Sequence, residues 1–246
     1  MLTALFSDIH GNREAFEACL EHARDNGITH YVLMGDLVGY GADPAWVVER
    51  AGELVAEGAH AIRGNHDAAI EDGTSGMNDM AAQAITWTIP QLSQSHRDFL
   101  KRLPMTLEQG DTLFVHASAH DPARWEYITD VNAASQSFHA TNARVTLCGH
   151  VHVPALYHLS ATGKLAQFPP SEQVGLPLAP PRRWLAVLGS VGQPRDRNPA
   201  ACYAVLDPAR SNLTYIRVPY NVEGAAAKIR KAGLPEWLAE RLYNGR

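Results

Sequence analysis

Asp8, His10, Asp36, Asn65, His116, His150 and His152 are residues of the types that hold divalent cations. They fall in five short blocks: Asp8-Ile9-His10, Gly35-Asp36, Gly64-Asn65-His66-Asp67, a lone His116, and Gly149-His150-Val151-His152. In extended backbone, residues i and i+2 point to the same side, so Asp8 and His10 are expected to grip one ion together. His150 and His152 have the same spacing and would each reach an ion of a close pair. Asp36 has two carboxylate oxygens, enough to bridge two cations, and Asn65 offers a neutral carbonyl oxygen. Mixed carboxylate and imidazole ligands suit Mn, Fe, Zn, Co or Ni better than Ca or Mg, whose sites are dominated by oxygen. Taken singly, each residue has an ordinary explanation: Asp8 or Asn12 as a loop or cap residue, His116 as a satisfied core histidine. The joint pattern has none.

Each block follows an apolar run. Leu2–Phe6, Tyr31–Met34 and Ala59–Arg63 read as buried strands, with His116 closing a strand at 111–116 and Gly149 following Val145–Cys148. Between the first three lie helical patterns. One is capped by Asn12 and stopped by Gly27, and the next opens at Asp43-Pro44 and ends at Gly58. Strand–helix alternation of this kind predicts parallel βαβ units, in which ligands collect beyond the carboxyl ends of the strands. Helices are expected at 77–88, 93–102 and 130–141, and a strand at 105–109. In the second half, Ala155–Leu159 and Lys164–Phe168 flank a turn and predict a hairpin. Trp184–Leu188, Ala201–Leu206 and Leu213–Val218 read as further antiparallel strands, and 223–232 and 235–243 as closing helices. Residues 169–183 hold five prolines and are expected to form a long ordered flap. No repeat or linker divides the chain, so residues 1–246 are read as one domain.

The 246 residues carry 21 Lys+Arg against 26 Asp+Glu, a net charge of −5. That balance speaks against an extended nucleic-acid surface, though not against a nucleotide. No apolar run approaches the roughly 18 residues of a membrane span, and Leu2–Phe6 is too short for a signal-peptide core. The cysteines, Cys19, Cys148 and Cys202, make neither a disulfide framework nor a metal clip, and a cytoplasmic location is expected.

The ordered set D-x-H, G-D, G-N-H-D, H and G-H-x-H resembles the calcineurin-like metallophosphoesterase superfamily across residues 5–152. The stretches Gly35–Gly41 and Gly189–Asp196 resemble its small bacterial single-domain members. The resemblance implies an α/β fold, a four-layer α/β/β/α sandwich with two mixed β-sheets. It also implies two divalent ions, one held by Asp8, His10, Asp36 and His152, the other by Asp36, Asn65, His116 and His150. His66 would be the catalytic histidine outside the coordination shell. The expected reaction is hydrolysis of a phosphodiester or phosphomonoester. A metal-bridging hydroxide between ions roughly 3.5–4 Å apart would attack in line, and His66 would assist the leaving group. Two dications against Asp8, Asp36 and a hydroxide leave a local +1 inside a chain of net −5, which suits an anionic substrate.

A small phosphodiester or nucleotide is the favoured substrate. A dinucleoside polyphosphate or a phosphoprotein is the alternative, and a non-catalytic scaffold of the same fold is less favoured because the residue set is complete. Protein phosphatases of the superfamily carry G-D-x-V-D-R-G where this chain has Gly39 and Tyr40. The Asp that orients their catalytic histidine and the Arg that binds their phosphate are thus both absent. His66 must be oriented otherwise, with a loop carbonyl as the expected partner. Arg195 is the candidate to grip the phosphate beside Asn65 and His66, its alternative role being a surface pair with Asp196. His120 is a lesser candidate to touch substrate.

Overall fold

Side chains along the strands alternate between two packing layers, as the two-residue period of a sheet requires. A computed structural model describes residues 1–246. In chain order the elements are β1 (Thr3–Phe6), α1 (Arg13–Asp25), β2 (His30–Leu33), α2 (Pro44–Ala56), β3 (His60–Ala61), α3 (Asn65–Asp72), α4 (Asp79–Thr88), α5 (Gln94–Arg102), β4 (Thr106–Gln109), β5 (Thr112–Val115), α6 (Val131–His139), β6 (Val145–Cys148), β7 (Ala155–Leu159), β8 (Leu165–Phe168), β9 (Leu176–Pro177), β10 (Arg183–Val187), β11 (Ala201–Asp207), β12 (Asn212–Val218), α7 (Val222–Lys231) and α8 (Glu236–Asn244).

Two six-stranded mixed sheets result, ordered β3-β2-β1-β11-β12-β9 and β4-β5-β6-β10-β7-β8. In β1, Leu5 faces the second sheet while Ala4 and Phe6 face the layer of α1 and α2. In β10, Trp184 and Ala186 pack between the sheets while Leu185 and Val187 pack with Phe138 of α6. Helices therefore cover both outer faces, the four-layer α/β/β/α arrangement. Each fully buried Leu or Phe of these layers contributes roughly 1.5–3 kcal/mol. No helix is long and apolar enough to cross a membrane.

Strands β1, β2 and β3 run parallel in one sheet, and β5, β6 and β10 run parallel in the other. Their carboxyl ends meet at one rim, where backbone hydrogen bonds continue past the strands. Asp8 donates to Gly35 at 3.1 Å, and Gly149 to His116 at 2.8 Å. The loop after β10 then ties the rim to β1, because Val191 donates to Ser7 and Gly192 to Asp8, each at 2.9 Å.

Two expectations need correction. Trp184–Leu188 is expected among the antiparallel strands, yet β10 pairs parallel with β6 as well as antiparallel with β7. The third strand is short, His60–Ala61, because the chain leaves the sheet for helix α3, which the sequence reading lacks. The Pro-rich flap is ordered as expected, and it also carries the short strand β9 against β12.

Candidate metal centre

The chain turns sharply at the strand ends, and the ligand candidates occupy the turns. Asp8, His10, Asp36, His150 and His152 all have positive φ, between 51° and 66°. Asp8 with His10, and His150 with His152, therefore converge through left-handed backbone, not through the extended i, i+2 geometry expected of them. Non-glycine residues in this region are costly, and they persist only where the surrounding structure over-determines them.

The two buried carboxylates share one design. Asp8 Oδ2 accepts the Ser7 hydroxyl at 2.6 Å, and the His150 N–H is shared by both Asp8 oxygens at 3.1 Å. Its Oδ1 faces inward, 3.3 Å from His152 Nε2 and 3.9 Å from His10 Nε2. Asp36 Oδ1 accepts the His66 N–H at 2.8 Å. Its Oδ2 lies between His10 Nε2 at 3.6 Å and His116 Nε2 at 3.4 Å. Gly64 makes this approach possible, since a Cβ there would stand 2.2 Å from Asp36 Oδ1.

Main-chain carbonyls orient the imidazoles. His10 Nδ1 donates to Val38 at 3.1 Å, His116 Nδ1 to Met34 at 2.8 Å, and His152 Nδ1 to Gln193 at 2.7 Å. Each ring is thereby turned so that its Nε2 faces the centre, the orientation that metal-binding histidines adopt. In consequence His10 Nε2 and His152 Nε2 face each other at 3.0 Å. Two lone pairs at that distance repel unless a proton or a cation lies beside them. His150 Nε2 is buried with no partner, its ring stacked on Tyr127 at 4.0 Å. Asn65 Oδ1 lies 3.2 Å from His116 Nε2.

Potential ligand atoms fall into three overlapping groups, each within 4.8 Å: Asp8, His10 and His152; Asp36, His116 and His150; and His10, Asp36 and His66. The donor set fits divalent cations in two lobes joined through Asp36. Burial would raise both carboxyls, but the imidazoles nearby outweigh it and hold Asp8 and Asp36 below the usual carboxylate range. Burial pushes His66 down to about 4 and His150 to about 3. His116 is buried too, yet Asp36 and Asp8 raise it to about 10.

His66, at the start of α3, has a buried Nδ1 without a partner. The expected loop carbonyl is not there. The ring is held by packing instead, 4.7 Å from His10 and 4.6 Å from Tyr40, centroid to centroid. Gly39 lies directly beneath it, and a Cβ there would come within 2.2 Å of Nδ1. The acid of the protein phosphatases is thus replaced by a glycine against which the ring lies.

Arg195 does not pair with Asp196, which is bound by Arg217. It lies over Tyr40 at 5.6 Å and donates to Gln193 Oε1 at 2.9 Å. His120 is not brought to the cluster; it is half-exposed and pairs with Glu126 at 3.3 Å. The cysteines are buried and free. Sequence reasoning missed Asp67 and Gln193, although they lie inside the Gly64–Asp67 and Gly189–Asp196 motifs. Asp67 accepts from Leu37, Val38 and Gly64, which locks the β2 and β3 loops together. Trp125 and Tyr127 were missed as well, for they carry no motif. With Tyr40, Asn65, His66 and His150 they line a cavity of about 590 Å3 over the second lobe.

Two mixed sheets with an Asp/His rim define a metallo-dependent phosphatase fold. The chain belongs to the calcineurin-like phosphoesterase superfamily, whose domain model matches residues 1–211. It is similar over 100% of both chains to a metallophosphoesterase from Sphaerobacter thermophilus, with 33% identity and a TM-score of 0.87. It is also 33% identical over 251 residues to an uncharacterised protein of Methanocaldococcus jannaschii, covering 100% of this chain and 98% of that one. A hypothetical protein of Pyrococcus horikoshii shares the fold at 22% identity and a TM-score of 0.80, over 100% of this chain and 98% of the other.

Proposed function

We propose that this chain is a two-metal phosphoesterase acting on a small phosphodiester or a nucleotide. The observation that carries the reading is the inward-facing pair of His10 and His152 Nε2 atoms, 3.0 Å apart, with both Nδ1 atoms tied to carbonyls and two buried carboxylates alongside. Asp8, His10, Asp36 and His152 would hold one ion, and Asp36, Asn65, His116 and His150 the other. A pair of Mn, Fe, Zn, Co or Ni ions would supply a nucleophile at neutral pH and neutralise phosphate charge. Beyond that, the protein binds and orients. Asn65 lines the cavity, where its amide can also meet a phosphate oxygen.

Burial keeps His66 neutral near pH 7, with one N–H to offer the leaving oxygen. The negative charge of a bound phosphoester raises its proton affinity, which suits a proton donor. Arg195 is the cationic partner for the phosphate or a neighbouring group. Trp125 and Tyr127 give the cavity aromatic walls for the organic part of the substrate, which favours a nucleoside over a protein loop. The missing phosphatase Arg, replaced by Tyr40, points the same way. Residues 1–246 are read as one domain because β11 pairs with β1 across the length of the chain.

The test is hydrolysis of a panel of mono-, di- and dinucleotide phosphoesters by protein loaded with each metal in turn. Turnover of small diesters or nucleotides supports the reading; metal-loaded protein inert on the whole panel contradicts it.

A further inference from the structure

Two arginines converge beside the candidate metal centre, and neither is paired with an acidic side chain. Arg195 Nη2 donates to Gln193 Oε1 at 2.9 Å, and Arg241 Nη1, from α8, donates to the same oxygen at 3.0 Å. Arg241 also donates Nε to the main-chain oxygen of Arg246 and lies 5.9 Å from the Trp237 ring. Arg195 Nε is buried without a partner. The nearest acid in sequence, Asp196, is taken by Arg217. Gln193 Oε1 is thus shared by two like charges, with the main-chain oxygen of Arg246 the one further acceptor of Arg241, an arrangement that a bound anion would relieve. Burial and the nearby Arg195 charge already push Arg241 down to about 10.

Gln193 aims this pair at the site. Its side chain is buried, and its main-chain oxygen is the one that orients His152. Tyr40, under Arg195, also touches His10 and His66. Neither arginine lines the cavity walled by Trp125 and Tyr127, so the pair lies apart from the place for the organic group. A single reacting phosphate would be met by two cations and Arg195. Arg241 is then surplus for a monophosphate, but two guanidinium forks match the extra charge and oxygens of a second phosphate. Arg241 lies beyond the residues 1–211 matched by the family model.

We propose that Arg195 and Arg241 form a subsite for a second phosphate, so that the chain prefers ligands with two linked phosphates to those with one. This rests on the reading of the rim as a phosphoester site. The probes are ADP and AMP, which differ only by that phosphate. They are titrated calorimetrically into Mn-loaded protein with free Mn held constant. Wild type should bind ADP at least about tenfold more tightly than AMP, the scale of one charged hydrogen bond. In Arg241→Gln the ratio should collapse to within about twofold, and Arg241→Lys should recover part of it, both variants keeping the wild-type melting temperature.

Equal affinities in wild type, or an undiminished ratio in Arg241→Gln, would overturn the subsite. Turnover of bis(p-nitrophenyl) phosphate is read separately. An inert protein that still prefers ADP counts against the phosphoesterase reading and for the subsite; an active one without the preference counts the other way.

Discussion

The two lobes of the candidate metal centre are built to different standards. In the first, His10 and His152 are buried, each is anchored through Nδ1 to a carbonyl, and both face Asp8 and each other. In the second, His116 is anchored in the same way, but His150 Nε2 has no partner and Asn65 is only partly buried, on the cavity. The first lobe is preorganised and closed, whereas the second is looser and open to ligand. Preorganisation lowers the cost of binding, so the first lobe should hold its ion more tightly. On the proposed function, the second is where a substrate oxygen would enter.

Asp36 spans both lobes, and its loss should have the largest effect. Asp36→Asn is expected to weaken both ions and cut kcat by more than about 10⁴-fold, as when a group on which a whole site depends is removed. Metal analysis alongside kinetics checks this; two ions retained at wild-type affinity would refute the bridge. His66→Ala should keep both ions yet lower kcat by roughly 10²–10⁴-fold, the scale of lost acid–base help. Since His66 also lies within 4.8 Å of His10 and Asp36 ligand atoms, an ion lost in this variant would make it a ligand instead.

His10→Ala and His150→Ala compare the lobes directly. The first should weaken the tighter ion and the second only the weaker one. Each loss should be at least the roughly 10–100-fold that follows from removing an outer partner. Identical binding curves for the two variants would erase the distinction. Arg195→Ala should leave metal content unchanged and lower kcat/KM by roughly 1.5–3 kcal/mol, with Arg195→Lys recovering only part. Unchanged kcat/KM would return Arg195 to the surface.

The smallest effect is on stability of the metal-free protein. Burial holds His66 at about 4 and His150 at about 3 and also lowers His10 and His152. The unfolded chain takes up protons near 6.5 that the folded chain refuses, so stability falls as pH drops from about 6.5 toward 4. His116, raised to about 10, acts elsewhere: its contribution is complete below about 6.5 and is lost only as pH rises through about 10. The lowered Asp8 and Asp36 contribute above about 4 and lose that contribution only in stronger acid. In the window between, His66→Ala should flatten the slope by up to one proton, about 1.4 kcal/mol per pH unit. Denaturation midpoints in chelator measure it; an unchanged slope would mean that His66 titrates alike in both states.

Much of this was legible in the sequence because ligand chemistry needs particular side chains at strand ends. Asp8, Asp36, His116 and His150 each follow an apolar run, and the fold brings those ends to one rim. What escaped is what side-chain type does not encode. The left-handed backbone of Asp8 and His152 is imposed by the packed loops around them, and the carbonyls of Met34, Val38 and Gln193 that turn the rings are common to every residue. Helix α3 hid behind Asn65, His66 and Asp67, which are residues of loops and caps as often as of helices. Trp125 reaches the cavity from a loop in which it and Asp121 are left-handed. Arg241 meets Arg195 only through the fold.

Titration of metal-free protein with Mn, followed by metal analysis and by activity at each increment, separates one-ion from two-ion function. Two ions per chain are expected, the first bound tightly, the second more weakly, with turnover rising only as the second enters. Full activity at a firm limit of one ion would contradict the two-metal reading.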